Sequence, residues 1–172
     1  MMTYQQLSAG EALQVLPELV QVLQACVADG ASVGFIDPDD TAAMQLFWQR
    51  QLDGLEKGQS ELLVARQHDR VVATVMLNYS AMPNGGHRAE VSKLLVHPQA
   101  RRQGIARRLM QQAEQRARQQ GKNLLVLDTR TGDVASDLYR ALHWQVAGSI
   151  PSYAQSIHGE LDATTVMFKL LQ

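Results

Sequence analysis

The stretch Arg101–Arg108, RRQGIARR, sets a glycine and four arginines where an apolar run, KLLVHPQA, gives way to helical periodicity. A glycine at the start of a helix ordinarily costs stability, so Gly104 points to a backbone that something must approach closely. A strand feeding a helix through a glycine turn leaves the first helical N–H groups without partners. With the positive end of the helix dipole, those donors bind phosphate. Gly104 removes the side chain that would block approach, Ala106 keeps a following position small, and Arg101 and its neighbours add charge. Neither G-x-x-x-x-G-K-[ST] nor G-x-G-x-x-G occurs, which argues against ATP in a P-loop or NAD in a Rossmann crevice.

Charge is distributed unevenly around this stretch. Residues 101–122 hold six arginines and one lysine against one acid, Glu114, although the chain carries a formal net charge of −1. Such an island either attracts a compact polyanion or forms a solvated helix face. Few aromatics are interleaved with it, so nucleic acid is not expected as a partner. The five histidines show no metal-ligand spacing, and no metal is expected. The single cysteine, Cys26, excludes an intrachain disulfide. No run approaches the roughly 18 apolar residues that span a bilayer, and the first twenty residues lack a basic leader. A cytoplasmic protein without a membrane partner is the expectation, with residues 1–172 forming one domain.

The elements that must hold Gly104 read in order. Thr3–Ala9 predicts a short edge strand, and Glu11–Ala28 a helix with Leu13, Leu16, Val20, Leu23 and Val27 on one stripe. DGASVGFIDPDD is a loop. Asp39 or Thr41 caps a second helix that runs to about Lys57 and offers Met44, Leu46, Phe47 and Leu55 for burial. Residues 61–66 and 71–79 predict a hairpin through QHDR, and 88–96 a further strand. A helix over about 102–120 has Ile105, Leu109, Ala113 and Ala117 on its apolar stripe and Gly121 as its stop. NLLVLDT reads as a buried central strand, 133–142 as a short helix, and WQVAGSIPSY with ATTVMFKLL as a closing pair of strands. The order β-α-α-β-β-β-α-β-α-β-β is that of a mixed α/β (α+β) domain.

Arg101-Arg102-Gln103-Gly104-Ile105-Ala106 fits [Q/R]-x-x-G-x-[G/A] after an apolar strand, and so resembles the acetyl-CoA pyrophosphate loop of the GNAT superfamily of N-acetyltransferases. Ala135, Leu138 and Tyr139, on the helix after the next strand, match a second signature of that superfamily. GASVGF, RAEVSKLLVHPQARRQGIARRLM, LDTRTGDVASDLYRAL and the terminal MFKLL resemble its tabtoxin-resistance branch, whose members acetylate a toxic β-lactam amino acid. The sequence departs from the superfamily at Gly132, where many members carry asparagine, and at His143-Trp144, where many carry Gly-Phe. The resemblance implies a GNAT fold, a mixed sheet of about seven strands flanked by about four helices. It implies direct transfer of an acetyl group from acetyl-CoA to the primary amine of a small molecule, such as a toxic amino acid or antibiotic, in a ternary complex. A homodimer through the closing strands would be in keeping with the superfamily. A non-catalytic acetyl-CoA sensor and a protein or peptide N-acetyltransferase are the rival readings.

The resemblance also distributes roles. Leu94, Leu95 and Val96 would line the pantetheine arm, a backbone N–H near Leu94 would meet the thioester oxygen, and Arg101–Arg107 would hold the pyrophosphate. Glu90, eleven residues before Arg101, is the candidate base, with Asp128 as its competitor. Strand alternation sets Glu90, Ser92 and Leu94 on one face. Tyr139 is the candidate acid, since a phenol of reference pKa about 10 can protonate a thiolate whose thiol lies near about 8.5. Ser32, Phe35 and Asp37 lie in the loop where substrate contacts occur in this fold, while Trp48 and Trp144 read as core.

Overall fold

In the computed structural model, which describes residues 1–172, the predicted strands assemble into one seven-stranded sheet. They are β1 (Met2–Leu7), β2 (Ser60–Gln67), β3 (Arg70–Tyr79), β4 (Arg88–Val96), β5 (Leu124–Arg130), β6 (Gln145–Gln155) and β7 (Leu161–Leu170). Their order across the sheet is β1-β2-β3-β4-β5-β7-β6, and only β4 and β5 run parallel. The β2–β3 hairpin turns on His68 and Asp69, both left-handed at φ 52° and 62°, as a tight two-residue turn demands.

Five helices flank the sheet, one more than expected: α1 (Ala9–Gln14), α2 (Leu16–Ala28), α3 (Thr41–Glu56), α4 (Ile105–Gln119) and α5 (Val134–Ala141). The anticipated first helix divides at Val15, because Pro17 has no N–H with which to continue the α1 ladder. The break resets the helical phase. Leu13 falls outside the stripe assigned to it and is 57% exposed, while Ala12 takes the buried position. Ser8 caps α1 in a reciprocal capping box with Glu11. In α3 the cap is Asp40, neither Asp39 nor Thr41, with its carboxylate accepting from the Ala43 N–H at 3.1 Å. Met44 and Trp48, one turn apart, define the buried face of α3, which leaves Leu46 on the far side and 46% exposed.

Two apolar clusters sandwich the sheet. Helices α1–α3 close one face around Leu19, Leu23, Met44, Trp48 and Leu62. Helices α4 and α5 close the other, and there Ile105, Leu109, Ala113 and Ala117 are buried as the stripe predicts. Helix α4 begins at Ile105, three residues later than expected, because Arg102 (φ 65°) and Gly104 (φ 73°) are both left-handed and cannot join a right-handed helix.

Part of the basic island serves this packing. Arg116 pairs with buried Glu61 on β2, whose carboxylate also accepts from Gln6 Nε2 at 2.7 Å and from the Tyr79 hydroxyl. Arg108 stacks over the Tyr4 ring. Beneath α4, Lys169 of β7 donates to Glu114 at 2.9 and 3.1 Å and to the Leu142 carbonyl at 2.6 Å, while Trp144 Nε1 donates to the same carboxylate at 3.2 Å. Breaking one half of such a pair strands a buried charge, whereas replacing both halves by apolar groups is tolerated. Lys169→Ala is therefore expected to cost about 3–5 kcal/mol in urea unfolding. The double substitution Glu114→Leu with Lys169→Met should recover only part of that loss, because Trp144 Nε1 and the Leu142 carbonyl then lack their partners.

Candidate active site

The site is made by a failure of strand pairing. Strands β4 and β5 pair through Arg88↔Leu124, Ala89↔Leu125 and Glu90↔Val126 and then separate. Each stays bound on its outer side, β4 to β3 as far as Val96 and β5 to β7 as far as Arg130. Beyond Glu90, one edge of β4 therefore has no strand beside it. Two hollows open there, of about 320 and 610 Å³, and Ala31, Leu94, Arg130, Asp133 and Ala135 line both.

A bulge in β4 determines what the edge presents. Thr74 faces Leu95 and Met76 faces Ser92, so β4 holds one residue more than β3 over this span, and Lys93 is left-handed at φ 52°. Buried Thr74 locks the bulge by donating its hydroxyl to the Lys93 carbonyl at 2.8 Å. The extra residue reverses the alternation expected over 90–94. The face that carries Glu90 and Ser92 continues at Leu95, which packs with the α1–α3 cluster, whereas Leu94 turns to the α4–α5 cluster.

The larger hollow is a groove between the α4 N-terminus and the start of α5. Leu94, Leu95, Val96, Arg101, Arg102, Gly104, Ile105, Ala106 and Arg107 all line it, and Gln103 does not, since its amide turns back to the Ala100 carbonyl at 3.2 Å. No side chain caps α4, and the N–H groups of Ile105, Ala106 and Arg107 meet no acceptor in the chain; the first helical bond is Arg108 N–H to Gly104 C=O at 3.1 Å. A Cβ at Gly104 would meet no atom of the chain within 4 Å, so within the chain itself it is the positive φ that calls for glycine. Arg102 and Arg107 form no ion pair. Arg101 is engaged structurally, pairing with Asp29 at the end of α2 and donating to the Val96 carbonyl at 3.3 Å. Cys26 is buried beside it, its thiol pushed up by burial and directed at the same carbonyl at 3.4 Å.

The smaller hollow brings together Glu90, Lys93, Asp128 and Tyr139. Burial raises the Glu90 carboxyl above the ordinary glutamate range; the nearby Asp128 charge raises it further and Lys93 opposes both. Asp128 accepts from Thr164 Oγ1 at 2.7 Å. Tyr139 is buried against Trp144, its hydroxyl bonds to no group of the chain, and burial, with Asp133 and Asp128 nearby, holds its pKa far above the phenol norm. Ser32 lines the cavity, but Phe35 and Asp37 do not. Phe35 packs edge-on against Phe47, and the Asp37 carboxylate closes its own loop on the Asp39 N–H at 2.9 Å.

Sequence reasoning passed over Lys93, Arg130 and Tyr153, which also line this cavity. Arg130 ties the loop after α2 to the sheet, donating to the Gly30 carbonyl at 2.8 Å and lying 3.5 Å from Asp133 and 4.0 Å from Asp162. The one visible signal was in β4, where the polar pair Ser92-Lys93 followed by the apolar pair Leu94-Leu95 breaks strict alternation.

A groove ending in free helical amides and joined to a cavity with a perturbed carboxylate is a two-substrate arrangement. The family model for the acetyltransferase (GNAT) family matches residues 22–144, and the chain belongs to that family. The fold is shared with ribosomal-protein-alanine N-acetyltransferase from Brucella melitensis, at 20% identity over 98% of this chain and 99% of that one, with a TM-score of 0.81. It is shared too with yncA from Salmonella typhimurium, solved with its cofactor acetyl-CoA (20% identity, 100% and 95% covered, TM-score 0.77). A phosphinothricin acetyltransferase from Sinorhizobium meliloti, solved in complex with acetyl-CoA, is similar at 19% identity, 99% and 88% covered, with a TM-score of 0.81. No helix of the chain is long and apolar enough to cross a membrane.

The Thr74–Lys93 bond is open to direct test. Thr74→Val, nearly isosteric, leaves the Lys93 carbonyl without its donor. Urea unfolding should register a loss of about 1–3 kcal/mol.

Proposed function

We propose that this protein transfers an acetyl group from acetyl-CoA to the primary amine of a small molecule, directly and within a ternary complex. The observation that carries this reading is the set of unpartnered N–H groups at Ile105, Ala106 and Arg107, in a groove that shares Leu94 and Ala135 with the cavity lined by Glu90. Those amides, with the dipole of α4 and the unpaired Arg102 and Arg107, suit a pyrophosphate. The free edge of β4 at Leu94–Val96 suits the amide-bearing pantetheine arm, which can add to it as a short strand would.

The roles follow from chemistry. The acceptor reaches the enzyme as an ammonium and must lose a proton before its nitrogen can attack. Glu90, its carboxyl made less acidic by partial desolvation and by the neighbouring Asp128 charge, accepts that proton directly or through one water. Asp128 reinforces it as a neighbouring negative charge. A backbone N–H near Leu94, where β4 has no strand beside it, donates to the thioester oxygen as charge builds there. As the new C–N bond forms and the C–S bond breaks, the sulfur takes on negative charge, and the nitrogen sheds its second proton to it, directly or through one water, so that coenzyme A leaves as the free thiol. Tyr139 remains a neutral phenol at working pH, because its pKa is raised. It is therefore suited to donate a hydrogen bond to the departing sulfur rather than to surrender its proton outright.

The resemblance of GASVGF, RAEVSKLLVHP and LDTRTGDVASDLYRAL to the tabtoxin-resistance branch supports a toxic amino acid or antibiotic as acceptor. In this reading residues 1–172 act as one cytosolic acetyltransferase domain.

Free-thiol release, measured with acetyl-CoA and a panel of amines, tests the proposal. Tyr139→Phe should lower kcat by about 10²-fold or more, with acetyl-CoA affinity by calorimetry nearly intact. Undiminished turnover would remove Tyr139 from the reaction, and failure of the folded protein to bind acetyl-CoA would end the reading as a whole. The acid limb of kcat/KM against pH should have its midpoint above 4.5, the ordinary glutamate value, because the Glu90 carboxyl is raised. In this direction the base is lost as pH falls through the raised value. Glu90→Gln should abolish that limb.

A further inference from the structure

The acceptor cavity holds a cation to which the reaction above gives no task. Lys93 sits at the β4 bulge with φ 52°, pinned through its carbonyl by Thr74. Its side chain is half buried, and its ammonium lies 5.0 Å from the centroid of the Phe47 ring. It donates no hydrogen bond and forms no ion pair, unlike Lys57, Lys122 and Lys169.

The other charged groups of the cavity are accounted for. Arg130 is held by Gly30, Asp133 and Asp162, and Asp128 accepts from Thr164. Glu90 alone shares the condition of Lys93, since its carboxylate has no hydrogen-bond partner in the chain. Two groups of opposite charge, three residues apart on one strand, thus face the same hollow with their polar atoms unused. An ammonium withdrawn from water without acceptors is costly, and the aromatic contact offsets only about 0.5–2 kcal/mol of that cost. Its three donors suit an anion with several acceptor oxygens. A second ammonium on the acceptor would meet Lys93 as a like charge.

We infer that Lys93 determines acceptor specificity: it receives the carboxylate of a small molecule whose amine is presented to Glu90, so the acceptor is an amino acid. This rests on the transferase reading and narrows its acceptor. Burial draws the Lys93 ammonium below its ordinary value while Glu90 and Asp128 oppose that shift, and a bound carboxylate would oppose it further.

Initial rates on matched acceptors test the inference. The full-length enzyme, with acetyl-CoA, is given a panel of amino acids, β-lactam amino acids included, each beside its methyl ester and its carboxylate-free amine. The wild type should favour the acid by about ten- to a hundredfold in kcat/KM, the range of a charge-assisted hydrogen bond, chiefly through acceptor KM. Lys93→Met should collapse that preference toward unity with the KM for acetyl-CoA unmoved, and Lys93→Arg should keep part of it. Circular dichroism confirms that each variant is folded. Wild-type enzyme that acetylates the ester or bare amine as well as the acid overturns the inference, as does a Lys93→Met loss equal on both members of a pair. Either result leaves the transferase reading standing. If no acceptor of any kind is acetylated, both fall together.

Discussion

Everything at the site depends on the parting of β4 from β5. A parallel pair that continued past Glu90↔Val126 would consume the edge of β4 and close both hollows. The parting is sustained from outside, because β4 remains laddered to β3 as far as Val96 and β5 to β7 as far as Arg130. The lost ladder is confined to one short stretch, and the backbone groups released there become donors and acceptors for ligands. Helix α4 follows β4 and α5 follows β5, so the two helix starts flank the opening. One topological fact therefore supplies a helix start with free amides, a free strand edge and an open cavity together.

The bulge at Lys93 is the second constraint, and it depends on a buried hydroxyl. Without the extra residue, Leu94 would share a face with Glu90 and Ser92. With it, Leu94 belongs to the α4–α5 core, Leu95 to the α1–α3 core, and a lysine is turned into the cavity. Such a bulge breaks the local ladder, and Thr74 restores a partner to the displaced carbonyl. The same residue thus links sheet stability to the lining of the smaller hollow.

Charge is divided between architecture and chemistry in a way that net charge does not disclose. The basic stretch around α4 is one run in sequence but serves two purposes in space. Arg101, Arg108 and Arg116 are taken up by Asp29, the Tyr4 ring and Glu61, and they fasten the helix and its leading loop. Arg102 and Arg107 are left to the groove. In the smaller hollow, partial desolvation makes Glu90 less acidic and Lys93 less basic, so neither is as strongly committed to its charge as it would be in water.

Local regularities in the chain were enough to specify much of this. Alternation and apolar runs located all seven strands, the spacing of Ile105, Leu109, Ala113 and Ala117 oriented α4, and a glycine between strand and helix marked the helix start whose amides are free. Those signals are legible because each arises from neighbours within a few residues. Glu90, Asp128 and Tyr139 came from resemblance, since a strand glutamate and a helix tyrosine look ordinary until the elements are assembled. Other features depended on partners distant in sequence. Arg101 is tied to Asp29, the bulge to Thr74, and Arg130 to Gly30, while Phe35 and Asp37 leave the cavity lining because Phe47 and the loop itself hold them. The sequence by itself determined which segments are strands and helices and where the free amides of a helix start would lie, because backbone propensity and periodicity act locally. Only the tertiary structure decided which charges are neutralised and which are left lining the groove and the cavity, because the side chains that neutralise them are brought in from other strands, helices and loops.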